Sequence, residues 1–211
     1  MANATGTPPT ISEPILGLCR SICASQEPMY LKHSPESYAQ ANECFPAIDR
    51  KVQECGGKVH YGWQIWEWPG VLLEAEFHAV WLSPEHELVD ITPKSFKVEK
   101  ILFLPDPSMR YEGKQVNSIR VPLSDNPITR DFIGICDAIF RIQNKGNRAK
   151  QSAVSLEGPE SQLHQRLQET RLLTLQMLEA GLNRNSLCPC NSGKKYKACH
   201  GRKLEKKLAR V

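Results

Sequence analysis

Long hydrophobic runs are missing from this chain. Hydrophobic residues make up 40% of its 211 residues, yet no apolar run approaches the about 18 residues that a membrane-spanning helix needs. The N-terminal segment has neither the basic start nor the apolar core of a signal peptide. From these absences we expect a soluble, cytoplasmic protein.

Internal repeats and nucleotide-binding loops are missing as well. A nucleotide-driven motor needs a Gly-rich loop whose backbone N–H groups hold the phosphates. The sequence contains no loop of this Walker type, which argues against a motor function.

Cysteine, by contrast, is abundant. The chain has eight cysteines, but it is long enough to bury a core of its own and does not depend on a disulfide framework. Without a secretion signal we expect the thiols to stay reduced, and reduced cysteines serve mainly in metal binding or catalysis.

The net charge of +4 is unevenly distributed. Residues 194–210 contain eight Lys or Arg and one Glu, whereas the rest of the chain has 19 Lys or Arg against 22 Asp or Glu. The basic character therefore belongs to the C-terminal end, and the body is mildly acidic. A short basic end favours an acidic partner, either an acidic protein surface or nucleic acid.

The spacing of apolar residues predicts an α+β fold in which helices accompany an antiparallel sheet. Apolar residues at helical spacing predict helices within 11–31 and over 44–55, 128–142 and 160–182. The sequence Ser34-Pro35-Glu36 is typical of a further helix start. Segments rich in β-branched and aromatic residues predict strands over 58–66, 71–82, 87–91, 97–104 and 116–123.

Composition divides the chain into six segments. In chain order we expect a disordered lead (1–10), an α+β body (11–142), a polar linker (143–159), a helix (160–182), a small Cys/His-containing knuckle (185–203) and a basic tail (204–211).

Four residues in the knuckle have metal-ligand spacing. Cys188-Pro-Cys190 is followed, after eight residues, by the adjacent pair Cys199-His200. Three thiolates and one imidazole form a soft tetrahedral set for Zn²⁺ and leave no open position for water. The sequence therefore predicts a structural zinc site, whose metal supplies most of the folding energy of a segment too short to bury a core.

The segment 185–202 resembles the SEC-C motif, the zinc-binding tail of the SecA preprotein translocase that also occurs in unrelated bacterial proteins. The four candidate ligands match the ligand positions of that motif. Asn191 stands where SecA tails usually have Gly, and Asn also tolerates a left-handed backbone. In the translocase this module docks the chaperone SecB and contacts the ribosome. The resemblance thus implies a zinc-dependent binding module and does not imply protein export.

A second set of residues, in the body, has the chemistry of a cysteine nucleophile. Cys44 opens a predicted helix, where backbone N–H groups and the helix dipole favour a thiolate. His78 and Asp90 lie in successive predicted strands. A nucleophilic thiol needs a base, and the base needs an acid that orients it.

His78 and Asp90 face each other in only one register of the predicted hairpin. A three-residue loop at 83–85 places His78 opposite Asp90, with Leu82 opposite His86. A four-residue loop shifts the register by one residue and sends the two side chains to opposite faces. The predicted Cys-His-Asp site therefore requires the register of the three-residue loop.

The order helix-Cys, strand-His, strand-Asp over 44–93 resembles the transglutaminase-like branch of the papain-like hydrolases. This resemblance implies a hydrolase or acyl transferase with Cys44 as nucleophile, His78 as base and Asp90 as the orienting acid. The same residues also fit an inert scaffold, since a lone Cys is most often a buried apolar residue and an Asp often caps a turn.

Two hypotheses of different classes follow. In the first, the protein is a binding adaptor whose zinc knuckle and basic tail dock an acidic protein, the ribosome or nucleic acid, and the body is a scaffold. In the second, the body is a Cys-His-Asp enzyme that the knuckle brings to its substrate.

Overall fold

The computed structural model describes residues 5–151, 154–209 and 211, and these form two compact units. Unit 1 contains the described residues up to Pro69, Leu73–Glu112 and Ser118–Val121, and unit 2 contains Gly70–Leu72, Gly113–Asn117 and the described residues from Pro122 onward. The described elements make a mixed α+β structure, as expected. In chain order they are α1 (Glu13–Ile22), β1 (Met29–His33), α2 (Cys44–Cys55), β2 (Lys58–Trp68), β3 (Leu72–Leu82), β4 (Leu88–Asp90), β5 (Lys100–Pro105), β6 (Ile119–Pro122), α3 (Pro127–Gln143), α4 (Gly158–Glu179) and α5 (Leu204–Leu208).

A six-stranded sheet forms the framework of unit 1. The strand order is β2-β5-β1-β4-β3-β6, and β2 also pairs with β3. The first five strands of this order therefore close into a ring, and β6 adds to it at β3. Side chains from β1, β3 and β5 form an apolar cluster on one face of these strands, made of Leu31, Val80, Ile101 and Phe103.

The predicted antiparallel sheet is wrong at one pair of strands. β1 runs parallel to β4, with His33 opposite Asp90, whereas β1 and β5 are antiparallel. Residues 11–31 are predicted to be helical in part, and within this stretch Glu13–Ile22 is helical whereas β1 begins at Met29. The sheet is consequently a mixed one.

The predicted helix start at Ser34 is also wrong. The backbone N–H of Ser34 donates to the carbonyl of Asp90 at 2.8 Å, and that of Glu36 donates to the carbonyl of Ile91 at 3.1 Å. These bonds continue the contact between β1 and β4 beyond the strand ends. The backbone groups that a helix would need are therefore already engaged with another segment.

Helix α2 has the predicted bounds, Cys44–Cys55. Its buried Cys44 and Ile48 pack in one cluster with Ala79 of β3 and with Ile91. Gly56 and Gly57 follow with φ angles of 72° and 83°, a backbone region that favours glycine. The helix ends there because these backbone angles lie outside the helical region, and glycine adopts them without a steric penalty.

The β3–β4 hairpin has a different register from the predicted one. Leu82 pairs with Leu88, and the backbone N–H of Ser83 donates to the carbonyl of Glu87 at 2.8 Å. The loop is thus 84–86, and its last residue, His86, has a left-handed backbone with a φ of 68°. The prediction that His78 lies directly opposite Asp90 is wrong by two residues. A shift of two residues keeps the face, so both side chains still project to the same side.

Unit 2 contains the three C-terminal helices. Residues 128–142 are predicted to belong to the body and 204–211 to a tail. In the structure α3, α4 and α5 share one apolar cluster, made of Ile135, Ala138, Ile139, Ile142, Leu167 and Leu204. The predicted linker includes a short 3-10 helix, Gly146–Lys150, and its residues 152–153 lie outside the described part, as do Glu205's side chain and Arg210 of the tail. Among the described residues, no helix is long and apolar enough to cross a membrane.

Part of the expected disordered lead is in contact with the sheet. Gly6 and Glu67 exchange backbone hydrogen bonds of 2.9 Å, and the hydroxyl of Tyr30 donates to the carbonyl of Pro8 at 2.8 Å. These bonds hold 6–8 in place, which corrects the prediction for those residues. Residues 1–4 of the lead lie outside the described part of the chain.

Gly62 of β2 lies where a side chain does not fit. It pairs with Pro105 of β5, and a Cβ atom at position 62 would lie 2.2 Å from the carbonyl oxygen of Leu104 and 2.5 Å from the ring of Phe103. Such a close approach to backbone is relieved only by a shift of the strands.

We expect Gly62→Ala to lower the free energy of unfolding by about 1–3 kcal/mol, since overpacking displaces neighbouring groups. Gly17→Ala is the matched control, because Gly17 lies in α1 with no atom within 4 Å of the added Cβ, and it should stabilise by about 0.5–1 kcal/mol. Urea unfolding followed by tryptophan fluorescence measures both. Equal midpoints for the two variants would contradict the packing described for Gly62.

Candidate functional sites

The knuckle brings its four predicted ligands together. Their ligand atoms all lie within 4.8 Å of one another. The Nδ1 atom of His200 is 3.2 Å from the sulfur of Cys188 and 3.4 Å from that of Cys199, and the sulfurs of Cys190 and Cys199 are 3.5 Å apart. These four residues could therefore hold a metal ion.

The donor set fits a tetrahedral ion. With Zn–S bonds of about 2.3 Å and Zn–N bonds of about 2.0–2.1 Å, the edges of the tetrahedron measure about 3.5–3.8 Å. Three of the donor–donor distances, 3.2, 3.4 and 3.5 Å, are close to these edges. Three thiolates with one imidazole also match the soft donors of structural sites.

A short turn brings the two ligand pairs together. The backbone N–H of Cys188 donates to the carbonyl of Lys194 at 2.8 Å, and Asn191 between them has a φ of 60°. The expectation that Asn191 adopts the left-handed conformation is confirmed. Asn reaches this region more readily than most residues, so the turn forms without glycine there.

The knuckle has a small core that fixes it to α3 within unit 2. Tyr196 is fully buried, and a Cβ at Gly201 would lie 2.5 Å from its ring. Arg184, at the start of the knuckle, forms two hydrogen bonds of 2.8 and 2.9 Å with the carboxylate of Asp131 in α3. Such a bidentate pair fixes orientation as well as distance.

The environments of two knuckle thiols differ. Burial raises the pKa of Cys188 to about 11. Hydrogen bonding to Ser192 lowers the pKa of Cys190 to about 6. A bound cation favours the deprotonated form of every ligand thiol, and the exposed Lys194 and Lys195 beside the site act in the same direction.

In unit 1, the carboxylate of Asp90 is the centre of a buried polar cluster. Its Oδ1 atom accepts a hydrogen bond from Nε2 of His78 at 2.9 Å. Its Oδ2 atom accepts from Nδ1 of His33 at 2.8 Å and lies 3.1 Å from Nζ of Lys94. Asp90 itself has no exposed surface.

The cluster controls the charge of His78. Burial lowers the pKa of His78 and Lys94 lowers it further, but its interactions with Cys44 and a hydrogen bond to Asp90 outweigh both and raise it to about 9. Burial disfavours the charged form of Asp90 as well and so raises its pKa. Hydrogen bonds from His33 and His78 nevertheless hold this pKa well below its usual range. The cluster thus favours the charged forms of both His78 and Asp90.

These shifts have opposite consequences for stability. Because the pKa of His78 is raised from 6.5 to about 9, its contribution is complete below pH 6.5 and is lost as the pH rises through about 9. Because the pKa of Asp90 is lowered, its contribution is present above the ordinary Asp range and is lost in acid.

Cys44 and His78 line one cavity of about 140 Å³. Trp66, Thr92 and Lys94 also line it. The hydroxyl of Thr92 is buried and has no hydrogen-bond partner among the described residues. The cavity thus combines the side chains of a cysteine, a histidine and a lysine, which suits a ligand with its own polar atoms.

Of the three predicted residues, Cys44 and His78 line this cavity, and Asp90 does not line it but binds the ring of His78. Their catalytic role stays a prediction. Sequence reasoning missed His33, Lys94 and the Thr92 hydroxyl. Lys94 and Thr92 follow closely on Asp90 in the chain, so proximity could have drawn attention to them. His33 had no such signal, because its contact depends on the parallel pairing of β1 with β4.

A family model of the SEC-C motif matches residues 184–202. The chain therefore carries a SEC-C motif, as the sequence resemblance predicted, and the four clustered ligands lie within it. No curated protein and no solved structure matches the chain. The resemblance of the body to transglutaminase-like hydrolases thus stays a prediction.

We expect metal analysis of the purified protein to find one metal ion per chain in the knuckle. Cys199→Ser removes one of the four ligands and should lower metal occupancy at least about tenfold under a competing chelator, since even outer-shell changes cost 10–100-fold. Cys55→Ser is the control, because Cys55 is an exposed thiol at the end of α2. Equal metal retention by both variants would contradict the assignment of this site.

Proposed function

We propose that the C-terminal part of this chain is a zinc-dependent docking module for an acidic segment of a partner protein. The proposal rests on a groove in unit 2 beside the metal ligands. The groove has a volume of about 540 Å³ and is lined by α4, the knuckle and α5.

The groove combines an apolar lining with basic side chains. Leu163, Leu167 and Leu204 supply its apolar surface, and Arg166, Lys194 and Lys207 supply its positive charge. Glu169 is the one acidic side chain among the described residues that line it. An amphipathic helix with an apolar stripe and flanking carboxylates matches this surface in both respects.

In this proposal zinc stabilises the side of the groove that the knuckle forms. Cys199 and His200 are both candidate metal ligands and lining residues of the groove. When the ion binds, it fixes the chain that carries Lys194 and Ala198, because a segment this short cannot order itself by apolar burial. Loss of the metal should therefore disrupt the groove.

The test uses a labelled peptide of Glu and Leu with leucines at i, i+3 and i+7, titrated with the full-length protein by fluorescence anisotropy. We expect Lys194→Glu combined with Lys207→Glu to weaken binding about tenfold or more at low salt, where surface charges are least screened. Lys58→Glu combined with Lys114→Glu is the matched control, since these two lysines are exposed and do not line the groove.

Two comparisons complete this experiment. A peptide with Ser in place of Leu should bind at least about tenfold more weakly, because the apolar contacts are lost. A single-stranded RNA of matched length tests the other acidic partner. Tighter binding of the RNA than of the peptide, or equal effects of the groove and control substitutions, would overturn the proposal.

The cluster around Asp90 supports a second candidate function, a cysteine hydrolase or acyl transferase. The supporting observation is that Cys44 and His78 line the same cavity while Asp90 holds the far side of the imidazole. Because Nε2 of His78 is bonded to Asp90, Nδ1 is the ring nitrogen left for Cys44. This is the relation that a thiolate–imidazolium pair requires.

The chemistry of this candidate is acyl transfer through a thioester. The Cys44 thiolate attacks the carbonyl carbon of an acyl donor, an S–C bond forms, and the bond to the leaving group breaks as His78 gives that group its proton. Water, or another acceptor, then attacks the thioester while His78 takes its proton, and Cys44 leaves as the thiolate. The first N–H groups of α2 are the donors available to the developing oxyanion.

Alkylation by iodoacetamide, read by peptide mass spectrometry, tests this candidate. Below the pKa of His78, about 9, the imidazolium favours the Cys44 thiolate, whereas an ordinary thiol protonates as the pH falls. The ratio of Cys44 to Cys55 alkylation should therefore rise about tenfold between pH 9 and pH 6. In His78→Ala this rise should disappear. A ratio that is independent of both pH and His78 would leave Cys44 as a buried structural residue.

A further inference from the structure

The Asp90 carboxylate has more donors than a residue that only orients one histidine needs. Its Oδ1 atom accepts from Nε2 of His78 at 2.9 Å and from the backbone N–H of Thr92 at 3.3 Å. Its Oδ2 atom accepts from His33 at 2.8 Å and is 3.1 Å from the ammonium of Lys94. Two donors thus bind each oxygen, and those on Oδ2 are side chains outside the Cys-His-Asp set.

Both side chains on Oδ2 are themselves fixed. The His33 side chain is 7% exposed, and its backbone is paired with Asp90 in the parallel β1–β4 contact. Lys94 is 9% exposed and donates a second hydrogen bond, of 2.8 Å, to the side-chain oxygen of Gln64. Neither residue can follow the carboxylate if it rotates.

The orientation of the carboxylate decides which nitrogen of His78 meets the thiol. An ionised carboxylate only accepts hydrogen bonds, so Nε2 of His78 carries the proton that is directed at Oδ1. Rotation of the carboxylate would break this bond and release the ring. Holding Oδ2 from two directions prevents that rotation.

We infer that His33 and Lys94 are positioning residues of the Cys44 site: by binding Oδ2 of Asp90 they direct Oδ1 to Nε2 of His78 and leave Nδ1 to Cys44. This inference rests on the second candidate function. It adds a fourth and a fifth residue to the predicted set, neither of which touches the reacting thiol through the contacts described here. Their effect passes through Asp90 to His78.

Charge supports the same arrangement. The groups that face Asp90 are the imidazoles of His33 and His78 and the ammonium of Lys94, and Cys44 and Glu76 line the adjoining cavity. Burial raises the pKa of the Asp90 carboxyl, but hydrogen bonds from His33 and His78 and the nearby charges of His78 and Lys94 keep it below its usual range. The acceptor that orients His78 therefore stays ionised.

Substitution of His33 separates positioning from simple packing. Asn carries an amide nitrogen near the place of the imidazole Nδ1, so His33→Asn can still donate to Oδ2, whereas His33→Leu cannot. We expect His33→Leu to lower the Cys44-to-Cys55 alkylation ratio at about pH 6 roughly tenfold, because the thiolate loses its oriented partner. His33→Asn should stay within about threefold of the wild type.

Lys94→Met gives an independent variant in case His33→Leu does not fold. It removes the second donor on Oδ2 but keeps the length of the side chain, and it should lower the same ratio. Circular dichroism and urea unfolding identify the variants that fold. Where Cys44 alkylation in the wild type depends on His78, unchanged alkylation profiles in the folded His33→Leu or Lys94→Met proteins would overturn the inference.

A second readout distinguishes failure of this inference from failure of the enzyme proposal. The Nε2 proton of His78 should give a slowly exchanging, downfield proton resonance in the wild type that Asp90→Asn removes. We expect His33→Leu to broaden or shift this resonance and His33→Asn to preserve it. If Cys44 shows no His78-dependent alkylation but the resonance responds in this way, the enzyme proposal fails and the positioning stands. A resonance indifferent to His33 and Lys94 overturns the positioning itself.

Discussion

The fully buried carboxylate of Asp90 is the constraint on which much of unit 1 depends. A charge that is removed from water costs several kcal/mol unless well-placed partners replace its hydration. The partners of Asp90 come from three places in the fold: His33 from β1, His78 from β3 and Lys94 from the segment after β4. Only when these segments are assembled is the charge compensated, so the arrangement of the strands and the placement of this charge require each other.

The sequence determines most clearly the features that depend on neighbouring residues. Helix α2 has the predicted bounds because one apolar stripe and Gly56-Gly57 specify it locally. The knuckle could be predicted for the same reason, since four ligands within a short segment need no distant partner. Asn191 adopts the expected left-handed conformation through its own backbone preference.

Features that depend on distant pairing were missed or misplaced. The period-2 pattern of β1 is short, and its identity as a strand comes from β4 and β5, which lie far along the chain. The parallel pairing that places His33 beside Asp90 has no local sequence signal. The hairpin register differed from the predicted one because a left-handed residue at position 86 closes the loop one residue later. His78 and Asp90 still project to the same face of the hairpin, because the register is shifted by two residues.

Two of the buried aspartates in this chain, Asp131 and Asp90, have partners of different kinds. In unit 2, Asp131 receives two hydrogen bonds from the guanidinium of Arg184, an arrangement that satisfies a carboxylate and fixes the knuckle to α3. In unit 1, Asp90 has two histidines and a lysine, and one of those histidines lines a cavity with a thiol. Stability alone does not favour such a cluster, because well-packed apolar residues often serve as well as a buried ionic network. The arrangement around Asp90 fixes the orientation of His78, and this orientation is what the proposed enzyme function would use.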